Sequence, residues 1–97
     1  MRSLARSFAL AVLLSTSFTM AWGEPVPDEA AALRIADRVL CQTYGKKHID
    51  AERPLMAKLE GHVWHVWGHM NPNAVGGVAQ IWIEQKNGRV KKIEHTK

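Results

Sequence analysis

His62-Val63-Trp64-His65-Val66-Trp67-Gly68-His69-Met70 gathers two tryptophans and three histidines into nine residues. Its side chains alternate in character with the period of two that belongs to a β-strand. Trp64, Val66, Gly68 and Met70 fall on one side; Val63, His65, Trp67 and His69 fall on the other. The first set is apolar enough to pack under a helix, and Gly68 allows the helix backbone to come close. Trp64 is then a core residue. Trp67, flanked by two histidines, belongs to the exposed side and has the composition of an interface anchor. In a plainer alternative, Trp67 packs against Trp82 across the sheet beneath long side chains; both readings stand at this point.

The same stretch invites a metal-site reading. His62, His65 and His69 have the spacing H-x2-H-x3-H, which could converge on a helix. On a strand His62 faces away from the other two, and His65 and His69 lie about 13 Å apart. Ligands at about 2.0 Å from one ion cannot span that distance. A site would need His48 or His95 folded close. No metal ligand and no cofactor is assigned from this pattern.

Working outward, Asp28 stands at an N-cap position and Glu29 adds negative charge to the first turn. From Glu29 to Thr43 the apolar residues follow a helical period: Ala32, Leu33, Ala36, Val39, Leu40 and Tyr44 share one arc, with Ile35 on its flank. Arg34, Arg38 and Gln42 fall opposite, and Gly45 ends the helix. Glu24-Pro25-Val26-Pro27 reads as a short stiff leader. Lys46 to Arg53 is polar with one candidate for burial, Ile49. Pro54 opens a strand, Leu55 to Leu59, and Glu60-Gly61 turns into the His/Trp strand. Asn71-Pro72-Asn73 interrupts with turn chemistry, Gly76-Gly77 leads into a strand from Val78 to Gln85, and Asn87-Gly88 signals a hairpin returning as Arg89 to His95. A two-residue turn would place Val90 beside Ile81 and Ile83. A three-residue loop with a bulge at Gly88 would place Ile93 there, and this register is favoured because three isoleucines then share a face. The expected class is α+β: one amphipathic helix on an antiparallel sheet of three or four strands, small and cystatin-like in outline.

The N-terminus reads as an export signal. Arg2 and Arg6 precede an apolar run of eleven residues, Phe8 to Phe18, with small residues for cleavage after Ala21 or Gly23. A membrane span needs about 20 apolar residues, so no stable span is expected after processing, although an uncleaved anchor is the alternative. Residues 1–23 are thus expected to be a signal peptide and 24–97 a single domain, periplasmic or secreted. Such a domain sits near the lower limit for independent folding. Its one cysteine, Cys41, cannot form an internal disulfide, so the core must suffice, with a homodimer interface or a bound partner as further support. Cys41, in a helical position, is expected to be a partly buried filler.

Thirteen Lys and Arg oppose nine Asp and Glu in the whole chain, and loss of Arg2 and Arg6 leaves eleven against nine. So mild an excess, without a basic stripe, argues against nucleic-acid binding; Arg89, Lys91 and Lys92 read as a solvated edge. Catalysis is not expected either. Cys41 lacks an activating histidine nearby and a helix N-terminus, and no G-x-S-x-G, Walker or H-E-x-x-H pattern occurs.

Ile35-Ala36, Tyr44-Gly45, Arg53-Pro54-Leu55, Trp64-His65-Val66-Trp67-Gly68, Gly76-Gly77-Val78 and Asn87-Gly88-Arg89-Val90 follow one another in a telling order. Over Asp28 to His95 this series resembles the small bacterial immunity proteins of polymorphic toxin systems that have a nuclear-transport-factor-2-like fold. The sequence departs from that pattern at His65, Trp67 and His69, where smaller or hydroxylated residues are expected. The resemblance implies a helix-on-sheet protein that binds and neutralises a cognate protein toxin, and export would place it in the envelope. The contact region is expected on the exposed sheet face, at His65, Trp67 and His69, with Asn71 and Asn73 of the adjoining loop. The alternatives are a periplasmic binding or inhibitor module of cystatin-like outline, its ligand unknown, and a histidine-dependent metal-handling protein.

Overall fold

The computed structural model describes residues 23–70, 72 and 76–97. The expected signal peptide up to residue 22, and Asn71 and Asn73, lie outside the described residues. The order is α1 (Glu29–Tyr44), α2 (Lys46–Asp50), β1 (Met56–Glu60), β2 (Val63–Trp67), β3 (Ala79–Glu84) and β4 (Val90–His95). The four strands form one antiparallel sheet in sequence order, and the helices lie against one face of it. This is the α+β layer pair that the alternation and the helical arc predict.

α1 starts where its cap predicts, with Asp28 Oδ1 accepting the Ala31 N–H at 2.9 Å. Ala32, Ala36 and Leu40 are fully buried at four-residue spacing, and Arg34, Arg38 and Gln42 face solvent. The helix stops at Gly45, whose φ of 95° suits glycine and whose N–H donates to the Cys41 carbonyl at 2.8 Å. Helical structure then resumes. The polar stretch after Gly45 contains α2, whose single apolar side chain, Ile49, is fully buried. At five residues it is too short to show a period.

In β2, Trp64, Val66 and the following Gly68 are buried against the helices, as the alternation predicts. Trp64 pairs with Ile83 and Val66 with Ile81, so one face of the sheet collects the core. The β3–β4 hairpin differs from expectation in its mechanics. Its loop has four residues, 85–88, closed by Glu84 N–H donating to the Arg89 carbonyl at 2.8 Å. The bulge lies within β4, where the register skips Lys91, instead of at Gly88. Ile93 therefore opposes Ile81 as favoured, while Val90 opposes Ile83. Both competing residues reach the core face because one extra residue separates them.

The leader is part of the core. Val26 is fully buried, its N–H donates to the Gln85 carbonyl at 2.7 Å, and its carbonyl accepts the Trp64 indole N–H at 2.8 Å. Of the six largest fully buried side chains, Val26 and Ile49 come from outside α1 and the sheet. At roughly 1.5–3 kcal/mol each, these flanking residues supply a substantial share of the burial in a chain with no disulfide.

Candidate functional site

The opposite face of the sheet carries no helix among the described residues. Its central row runs Lys58, His65, Trp82, Lys92 across β1 to β4, and the next row runs Met56, Trp67, Gln80, Glu94. The His65 ring stacks on Trp82 with centroids 4.6 Å apart and planes 3° apart, and it lies 4.9 Å from the Trp67 ring. Lys92 Nζ sits 5.1 Å from the Trp82 ring centroid, a cation–π distance. His65 Nε2 meets Gln80 Oε1 at 2.7 Å. Trp67 therefore does not stand alone: the His65 ring contacts both tryptophans, stacked on Trp82 and tilted by 36° against Trp67. Met56, 46% exposed, extends the apolar part of this face to the β1 edge.

Of the residues singled out from sequence, His65 and Trp67 are brought together here. His69 is not. β2 ends at Trp67, and His69 N–H donates to the Glu52 carbonyl at 2.7 Å, which turns the chain towards α2. His69 is exposed, and Asn71 and Asn73 lie outside the described residues. Trp82, Lys92 and Met56 belong to the face as well. Their signal was available: once Ile81 and Ile83 are placed inward, alternation puts Trp82 outward.

A second constellation lies on the helix side, at the end of the sheet. His48 and Glu52 are four residues apart, one in α2 and one just beyond it, and His95 closes β4. Glu52 is buried, 6% exposed, yet each oxygen is engaged. Oε1 accepts the Ala79 N–H at 2.8 Å; Oε2 lies 2.8 Å from His48 Nε2 and 3.3 Å from His95 Nε2. The two Nε2 atoms are 2.9 Å apart, and Tyr44 meets the His95 ring edge-on at 5.3 Å. The histidines that the H-x2-H-x3-H spacing called to attention stay apart, and the tertiary fold gathers His48 and His95 instead. Gly68 makes room for Glu52, not for a helix backbone as alternation suggested: a Cβ there would overlap Glu52 Oε1.

Beside this cluster, Arg53 ties the two helices together. Its Nη2 donates to Asp37 Oδ1 and its Nε to Asp50 Oδ1, each at 2.7 Å, while Lys46 Nζ pairs with Asp50 Oδ2 at 2.7 Å. The Arg53 guanidinium holds the Asp37 carboxyl below its ordinary range, and Lys46 with Arg53 does the same for Asp50. Burial, reinforced by a hydrogen bond to Asp37, pushes the Cys41 thiol up. Half-buried, Cys41 packs as the partly buried filler expected.

No curated protein and no solved structure matches the chain. Residues 31–97 match the model of a family described as NTF2 fold immunity protein. That span takes in all but the first two residues of α1, the whole sheet, the aromatic face and the His48–Glu52–His95 cluster. By this match, over more than half its length, the chain belongs to the NTF2 fold immunity protein family.

Proposed function

We propose that this protein neutralises a cognate bacterial toxin by covering the toxin's working surface with the open face of its sheet, without catalysis, after export to the envelope. Family membership supports a toxin as the partner. The observation that carries the placement is the aromatic cluster of Trp67, His65 and Trp82 with Lys92, which no helix covers among the described residues. Ordered aromatic rings on a sheet are held by their own stacking, so little side-chain freedom remains to be lost on binding. Lys58, Lys92, Glu60 and Glu94 ring the aromatics with both signs of charge. Such a rim suits a polar partner surface around an apolar centre. The Arg2/Arg6 leader with its apolar run supports export, since an antidote must share its toxin's compartment.

The test is a titration against the cognate toxin, identified as the protein that co-purifies with this chain. Trp67→Ala should weaken binding by at least about 2 kcal/mol, roughly thirtyfold in Kd, while the thermal midpoint stays near that of the parent. Full affinity in that variant would remove the open face from the interface. Fractionation of the producing cell, with the mature N-terminus sequenced, tests export: a chain found in the cytoplasm with Met1 intact would overturn it.

A further inference from the structure

His48, Glu52 and His95 bring three atoms able to ligate a metal within 3.3 Å of one another. His95 Nδ1 lies 2.8 Å from the Thr96 carbonyl. A carbonyl only accepts, so Nδ1 carries the hydrogen, and Nε2 of the neutral ring is left with a lone pair. That lone pair lies 3.3 Å from Glu52 Oε2, which as a carboxylate oxygen also only accepts. His48 Nε2, 2.8 Å from the carboxylate and 2.9 Å from His95, can bring one hydrogen to two acceptors. With both rings neutral, a cation at the centre of this triangle meets the lone pairs of all three atoms.

The geometry points to a divalent transition-metal site, with His48 Nε2, His95 Nε2 and one oxygen of Glu52 as ligands and zinc as its natural occupant. Three atoms separated by 2.8, 2.9 and 3.3 Å admit a common point about 2.0 Å from each, lying about 1 Å out of their plane. The two imidazole planes meet at 60° with centroids 5.0 Å apart, so the rings are tilted apart instead of stacked. Two imidazoles and one carboxylate suit zinc, nickel or copper better than magnesium or calcium, which favour all-oxygen sets.

The surroundings are those a metal centre needs. The Thr96 carbonyl fixes the His95 tautomer, and the Ala79 N–H anchors the second carboxylate oxygen. Two glycines make these anchors possible. A Cβ at Gly68 would overlap Glu52 Oε1, and one at Gly77 would overlap the Thr96 carbonyl. Glu52 is 8% exposed at its side chain, His95 24% and His48 46%, so the site is closed beneath and open on the His48 side. A fourth ligand, water or a partner's side chain, enters there. The cluster lies on the helix side of the sheet, away from Trp67 and Trp82, so its test does not depend on the proposed toxin contact.

Zinc chloride titrated into the purified protein, stripped of metal and free of any histidine tag, tests the site by calorimetry and by the thermal midpoint. One zinc per chain should bind and raise the midpoint. His48→Ala, at an exposed position, should lower zinc affinity more than about a hundredfold, beyond what loss of an orienting group costs. Glu52→Gln keeps the shape and the acceptor for Ala79 N–H, and should lose affinity comparably. A His62→Ala/His69→Ala double variant should bind as the parent does. Absence of stoichiometric zinc overturns the proposal, and so does parental affinity in His48→Ala.

Discussion

A methyl group at position 68 has nowhere to go: it would overlap Glu52 Oε1 and come within 2.8 Å of Glu52 Cβ. Gly68→Ala must therefore displace a buried carboxylate from the Ala79 N–H and both imidazoles. A cost of about 1–3 kcal/mol is expected, read as a lower urea midpoint at unchanged slope. Combining it with Glu52→Ala should cost less than the sum of the two, because both changes act on the same contact. Additive costs would mean that Glu52 does not fill that space. Trp64→Phe removes one buried donor and strands the Val26 carbonyl, for about 1–3 kcal/mol by the same denaturation measurement. At Cys41 the raised thiol predicts slow reaction with a disulfide reagent at neutral pH, accelerating on unfolding.

Between elements, the Arg53 bridge to Asp37 of α1 and Asp50 of α2 is the main polar tie. Both carboxyls sit below their ordinary range in the folded protein, so the unfolded chain binds protons first as pH falls. Their contribution is complete above the unfolded value, near pH 4, and is lost as pH drops through the lower folded value. Denaturant midpoints measured between about pH 5 and 2 should fall more steeply for the parent than for Asp37→Asn, with a modest difference because the bridge is exposed. The elements themselves were legible to different degrees. α1 and β2 to β4 declare themselves because each runs long enough to display a period against a solvent-facing side. α2 does not, since five residues make little more than one turn. Val26 was illegible for another reason: between two prolines it looks like spacer, and only its backbone partners on the hairpin and Trp64 reveal a core residue. The open aromatic face followed from alternation. The His48–Glu52–His95 cluster could not, because His48 and His95 are 47 positions apart and only the meander brings β4 back to α2.

Across the whole molecule, the sheet is assembled from neighbours in sequence, each strand pairing with the one before it. The β3–β4 hairpin closes a short loop, the four residues 85–88 inside the Glu84–Arg89 hydrogen bond. The contact between His48 and His95 closes a far longer one, at a chain entropy about 2 kcal/mol greater by the logarithm of loop length. Such a contact is expected to form after the hairpins, once the strand order already holds its ends near each other. Its removal should thus show in one rate only. In His48→Ala the unfolding arm of a stopped-flow chevron should rise while the refolding arm stays near that of the parent. Equal shifts in both arms would put the contact in the folding nucleus. A bond across positions 48 and 95 that forms late does little to help the chain fold; it lengthens the time the chain stays folded.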